Sequence, residues 1–269
     1  MKNNMKVALC CIVKNENDYL DEYINYYHNL GFDKIFIYDN NDLNGESPID
    51  IIGKYDFVEI INCRGIKYAQ CRAYNHCVQI HKNEFDWIAF FDADEFLEFK
   101  QPMKIDEYLN IIAAEDADAI FINWCNYDDN NLLGNENNCD RSLVKRFTHI
   151  KDEKETTSEV KAIVNLHRCI PRFIMPHTPQ NAANCYNADG IKCANKPILE
   201  KAYKYAKINH YRKTIIEYIE HKYNRGFADG NPTPCDFNLF YRYSTQTPIK
   251  DQLIKEFLET GKINYTIQK

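Results

Sequence analysis

With 269 residues, 45% hydrophobic and 27% charged, the chain is long enough for one large α/β domain or two small ones, and apolar enough to bury a core. A formal net charge of -6 argues against a general nucleic-acid binder, which needs a basic footprint. Eleven cysteines without an even framework or a C-x-x-C spacing read as reduced thiols, not as a disulfide scaffold or zinc site.

Val7 to Val13 (VALCCIV) is a continuous apolar run, the pattern of a strand buried on both faces. Cys10 and Cys11 are adjacent on it and so face opposite ways, which suits packing. Next, Leu20, Tyr23, Ile24, Tyr27 and Leu30 recur at helical spacing, with Asn17 or Asp18 to cap the helix and Gly31 to end it. Lys34 to Tyr38 makes a second strand that stops at Asp39-Asn40-Asn41-Asp42, completing a βαβ unit. Phe57 to Ile61 reads as a third strand and Ala69 to Lys82 as a helix.

The fourth strand begins the stretch Trp87 to Phe99 (WIAFFDADEFLEF), in which an apolar run ends in Asp92, Asp94 and Glu95. Ligand sites of open α/β sheets lie beyond the carboxyl ends of the strands. Carboxylates crowded there invite a shared cation, and hard oxygen ligands favour magnesium, manganese or calcium. The competing reading is that Asp-Ala-Asp-Glu caps a following helix, since acids suit a first turn. No G-x-G-x-x-G or G-x-x-x-x-G-K-[ST] occurs, which counts against a dinucleotide fold and a P-loop.

Further on, Ile105 to Ala114 predicts a helix, Ala119 to Trp124 a strand, and the Asn- and Asp-rich Asn126 to Asp140 a loop. Val160 to Asn165 and Arg172 to Met175 read as short strands. Asn209-His210-Tyr211-Arg212 precedes a helix that opens with the capping box Thr214 and Glu217. Ile215, Ile216, Ile219 and Tyr223 form its apolar stripe, Lys222 and Arg225 its last turns, and Gly226 its end. A short helix near Ile249 to Leu258 and a polar tail follow. The 19 tyrosines supply flat surfaces that serve sugars or packing equally.

Four blocks give the sequence a resemblance: IVKNENDYLDEYINYYHNLGFDKIFIYDNND; WIAFFDADEFLEF; AIFINWCNYDD with the later VKAIV and His177; and INHYRKTIIEYIEHKYNRG. Together, over Val7 to Gly226, they resemble the bacterial branch of family-2-like glycosyltransferases, related to the family-92 enzymes, that share a GT-A fold. That resemblance implies an α/β, Rossmann-like, mostly parallel sheet with flanking helices in a single domain, 1–269. Residues of about 1–124 would form the nucleotide-sugar half, about 125–226 the acceptor side and 227–269 a C-terminal extension. Lys213-Thr214-Ile215 stands where the family has T-K-S, and the loop after Trp124 lacks its F-G pair.

The implied activity is transfer, with inversion, from a nucleotide-sugar such as a UDP-sugar to a glycan or lipid-linked glycan acceptor, in surface polysaccharide synthesis. The reduced thiols and the shortness of the first apolar run, Val7 to Val13, read as a cytoplasmic protein, and peripheral contact with the cytoplasmic membrane face is part of the family expectation. The implied cofactor is Mn2+ or Mg2+, held by Asp92 and Asp94 with His210 as third ligand. Asp92 would also face the nucleotide or its ribose, and Glu95 would be structural or touch the donor sugar. Lys161, Arg212 and Lys222 are diphosphate candidates, and Asn15, Glu16 and Asp39 nucleoside candidates. Inversion needs a general base within reach of the attacking hydroxyl, for which Asp128 and Asp129 are the choices, with Glu159 behind them. Trp124 and His177 line the sugar pocket or pack. The alternatives are a non-catalytic nucleotide- or glycan-binding relative and a phosphohydrolase of the haloacid dehalogenase kind.

Overall fold

A computed structural model describes residues 5–134, 142–151, 153–223 and 236–263. The first half alternates strands and helices: β1 (Val7–Val13), α1 (Asn17–Asn29), β2 (Lys34–Asp39), the single turn α2 (Ile49–Ile52), β3 (Val58–Asn62), α3 (Gln70–His81) and β4 (Trp87–Phe90). Next are β5 (Glu95–Phe99), α4 (Ile105–Ile112), β6 (Ala119–Tyr127), the short α5 (Leu143–Arg146) and β7 (Thr157–Asn165). Then come β8 (Cys185–Asn187), β9 (Lys192–Cys193), β10 (Ile198–Glu200), β11 (Ala206–Tyr211) and α6 (Ile215–Tyr218), which runs into a π-helical turn, Ile219–Tyr223. The helices α7 (Phe237–Tyr243) and α8 (Pro248–Thr260) follow.

The strands form one sheet whose main path is β3-β2-β1-β4-β7-β6-β11-β5. β1 pairs in parallel with β2 and β4, and β2 with β3, so the first four strands end at one rim. β7 enters antiparallel between β4 and β6, β11 runs parallel to β6, and β5 forms the edge, antiparallel to β11. Leu9 and Cys11 pack with Tyr23 and Tyr27 of α1 on one face, while Ala8 and Cys10 pack with Tyr74 and Cys77 of α3 on the other. Burying a Leu, Ile or Phe fully contributes roughly 1.5–3 kcal/mol. A strand covered on both faces is therefore set by burial rather than by local propensity.

The structure corrects several local expectations. After Asp94 the chain forms β5 instead of a helix, so the acidic residues do not cap one. Arg172–Met175 is not a strand; the main chain of Phe173 is held by the Asn75 side chain, through Phe173 N–H to Oδ1 at 2.8 Å and Nδ2 to Phe173 O at 2.9 Å. Asn209-His210-Tyr211 lies on β11, and Asn126 and Tyr127 complete β6 before the loop. Arg225, Gly226 and the end of the Asn-rich segment lie outside the described residues.

Neither Asn17 nor Asp18 caps α1. The carboxylate of Glu46 does so from across the β2–α2 connection, accepting the N–H groups of Glu16 at 2.6 Å and Asn17 at 2.9 Å. An anion suits the positive end of a helix. Glu46→Ala is expected to lower stability by about 1 kcal/mol in urea unfolding; an unchanged midpoint would show that the cap contributes nothing.

Three tyrosines of α1 fix the turn that carries the acids. Tyr23, Tyr26 and Tyr27 share one helical face. Their hydroxyls donate to main-chain carbonyls of Phe91 (3.1 Å), Leu97 (2.6 Å) and Glu95 (2.8 Å), and Tyr27 also accepts the Leu97 N–H at 3.0 Å. At this site the aromatic supply is spent on positioning backbone.

Candidate active site

The turn from β4 to β5 places Asp92 and Asp94 at the carboxyl rim of the parallel strands. Lys161, on β7 and wholly buried, donates to Asp92 Oδ2 at 2.7 Å, while Gln70 and Tyr74 donate to Oδ1 at 2.7 and 3.0 Å. Gln70 and Tyr74 stand four residues apart on α3 and so meet the same carboxylate. Burial disfavours the Lys161 charge, but the carboxylates of Asp92 and Glu95 outweigh it and hold the ammonium above its ordinary pKa.

Glu95 is fully buried, and its Oε2 accepts the Asp92 N–H at 2.9 Å. Its Oε1 has no hydrogen-bond partner among the described residues. Burial, opposed by Lys161 but joined by the neighbouring Asp92 and Asp94, holds its carboxyl above the ordinary range. On the adjoining strand His210 pairs in register with Glu95 on one side and Asn126 on the other. Its Nε2 lies 3.7 Å from Asp94 Oδ1. Burial and the nearby Arg212 push the imidazole down to about 4, so it is neutral at neutral pH.

Ligand-capable atoms of Asp94, Glu95 and His210 lie within 4.8 Å of one another. Two carboxylates and a neutral imidazole suit a divalent cation such as Mn2+ or Mg2+. Glu95 Oε1, which makes no hydrogen bond among the described residues and has Lys161 Nζ at 3.5 Å, and the buried His210 ring fit that reading, because buried polar atoms ordinarily find a hydrogen-bond partner.

Around this cluster lies a cleft of about 340 Å³. Lys14, Lys161, Arg212, Lys213, Lys222 and Arg242 line it, against the carboxylates of Glu16, Asp92, Asp94 and Glu159. Six cations and four carboxylates thus line it, with Lys14 also paired to Asp42 at 2.6 Å and Lys161 3.5 Å from Glu95, so Arg212, Lys213, Lys222 and Arg242 carry most of its positive charge. α7 supplies the opposite wall with Leu239, Phe240, Arg242 and Tyr243. The Arg212 guanidinium lies 3.6 Å over the Tyr243 ring and donates to Asn126 Oδ1 at 2.8 Å.

The expected site residues divide clearly. Asp94, His210, Asp92, Lys161, Arg212, Lys222 and Glu16 come together in the cleft. Asn15, with φ 58, borders a small hollow beside Asp94. Asp39 does not line the cleft; Arg64 Nε holds its carboxylate at 2.6 Å, and the neighbouring Asn40 lines the cleft instead. Asp128 and Asp129 do not line it either. Asp128 closes a turn by accepting the Asn130 N–H at 2.8 Å. Asp129 is fully buried between Lys250 Nζ at 2.8 Å and Ser244 Oγ at 2.7 Å.

Sequence reasoning missed Gln70, Tyr74 and Tyr243, and left Lys213 open. The i, i+4 spacing of Gln70 and Tyr74 signals a shared helix face, whereas nothing local to Tyr243 marks it.

Carboxylates, an imidazole and cationic side chains gather at a strand-end cleft of an α/β protein, a donor set whose chemistry suits an anionic ligand and a divalent ion. The family described as Glycosyltransferase family 92 matches residues 5–257. The chain belongs to glycosyltransferase family 92. A family 92 protein of Arabidopsis thaliana is 30% identical over 95 residues, 35% of this chain and 16% of that protein. One of Oryza sativa subsp. japonica is 26% identical over 106 residues, 38% of this chain and 18% of that protein. The matches thus span under a fifth of these plant proteins' length. Among solved structures, GalNAc-T7 with UDP, GalNAc and Mn2+ has a TM-score of 0.42 at 10% identity, covering 80% of this chain and 45% of that one. Mannosyl-3-phosphoglycerate synthase from Rubrobacter xylanophilus has a TM-score of 0.34 at 12% identity, covering 48% and 42%.

Proposed function

We propose that the cleft binds a nucleotide-sugar, a UDP-sugar in the first instance, and transfers its sugar with inversion to a hydroxyl of a glycan or lipid-linked glycan. The observation that carries this reading is the cluster of Asp94, Glu95 and His210, in which Asp94 and His210 line a cation-rich cleft and Glu95 lies buried behind them, in a family 92 chain. Those three side chains would hold a divalent ion, which would supply positive charge against a departing diphosphate. Arg212, Lys213 and Lys222 supply further positive charge along the same wall. Lys161 holds Asp92 toward the nucleotide side, and Glu16, Asn15 and Asn40 border the region where the nucleoside would lie. Among the described residues no helix is long and apolar enough to cross a membrane.

The test is calorimetric UDP binding with and without Mn2+, together with Mn2+-dependent release of UDP from a panel of UDP-sugars. Absence of both sinks the reading. His210→Ala is expected to weaken Mn2+-dependent UDP binding by about tenfold or more, since loss of even an outer-shell partner costs that much metal affinity. Its circular dichroism should match the parent's. If UDP and Mn2+ affinities stay the same in that variant, His210 is not a ligand.

A further inference from the structure

We propose that His177 is the general base, its Nε2 taking the proton of the acceptor hydroxyl. The assignment rests on the glycosyl-transfer reading above and deepens it. In that step the hydroxyl oxygen attacks the anomeric carbon and a new C–O bond forms. The bond from that carbon to the diphosphate oxygen breaks, its electron pair leaves on the diphosphate, and the proton stays on the imidazole.

The geometry fixes which nitrogen is available. Nδ1 of His177 lies 3.0 Å from the carbonyl oxygen of Val160. A carbonyl only accepts, so Nδ1 carries the ring proton and Nε2 keeps its lone pair. No other hydrogen bond holds the ring among the described residues, and the ring lines the cleft. It also packs on Trp124 at 5.2 Å between ring centroids, and the same indole meets His210 at 4.0 Å. A sugar laid against Trp124 therefore has the cation cluster at one neighbour of the indole and a fixed lone pair at another.

Asp128 and Asp129 are committed elsewhere. Asp129 is locked to Lys250 and Ser244, and Asp128 closes its own turn. The charged groups facing His177 are Lys161 and Glu159 from β7 and Asp92 from the turn after β4. Burial and Lys161 push its pKa down against Asp92 and Glu159, which keeps the ring neutral and able to accept a proton at neutral pH. Glu159 also lines the cleft, with the Tyr243 hydroxyl 3.5 Å from its Oε1, and is the control.

The experiment compares the parent, His177→Gln and Glu159→Gln in Mn2+-dependent turnover of whichever UDP-sugar the parent uses. The expectation for His177→Gln is a kcat lower by about 100-fold or more, the range of a lost general base. Donor KM and Mn2+-dependent UDP binding should stay within about threefold, as for an interaction made only in the transition state. Added imidazole should restore part of the activity of His177→Ala, which a packing role would not allow. A kcat of His177→Gln within about threefold of the parent, or a loss confined to Glu159→Gln, overturns the assignment alone. A parent that turns over no donor overturns the glycosyl-transfer reading and this base with it.

Discussion

Asp94→Ala is expected to reduce Mn2+-dependent turnover about a thousandfold or more, because a metal ligated at the leaving group supplies several kcal/mol of charge stabilisation. Asp94 is suited to this test because its carboxylate is 24% exposed and its near neighbour is the His210 ring at 3.7 Å, not a buried lysine or arginine. The Tyr211 N–H that steadies this turn donates at 2.9 Å to the Asp94 main-chain carbonyl, which survives the substitution. Stability should therefore stay within about 1 kcal/mol of the parent. Unfolding midpoints and single-turnover rates measured on one preparation separate the two effects. Turnover within about tenfold of the parent's would remove Asp94 from the metal site.

Asp129→Ala is expected to destabilise the fold by about 3–5 kcal/mol, the cost of leaving one member of a buried ion pair behind. Lys250 and Asp129 are both fully buried, and Lys250 also donates to Ser244 Oγ and the Thr245 carbonyl, each at 2.9 Å. This knot ties the loop after β6 to α8 and to Ser244 at the cleft wall. Asp128→Ala, which loses one turn contact, should cost under about 1 kcal/mol. Urea unfolding of the two variants gives the comparison. A small loss for Asp129 together with a collapse of kcat would reverse the picture and return Asp129 to the chemistry.

Legibility followed the range of the interactions. Val7–Val13 and Trp87–Phe90 were readable because burial on both faces leaves no polar position in the run. Thr214 and Glu217 were readable because a capping box closes within four residues, and the structure shows both of its hydrogen bonds. β5 was not, because its partner is β11, more than a hundred residues later, and only that pairing makes Glu95–Phe99 a strand. Glu95 as a cluster member depends on the same pairing, since His210 arrives from β11. Asp129 sits in a segment that reads as solvated turn, and its buried role appears only when Lys250 is brought to it. The C-terminal extension carried no motif, yet α7 walls the cleft and stacks Tyr243 on Arg212. The family match to residues 5–257 takes in α7 and reaches far into α8. It also displaces the phosphohydrolase alternative.

The tyrosines of α1 grip main-chain atoms around the acidic turn, not its carboxylates. The path of this turn is thus written by a different element from the one that bears the acids, and the two can vary independently. A lineage, or a designer, could exchange Asp94 to change ion preference without rebuilding the scaffold, whereas substitutions on the Tyr23, Tyr26 and Tyr27 face would misplace Asp94 and Glu95 together.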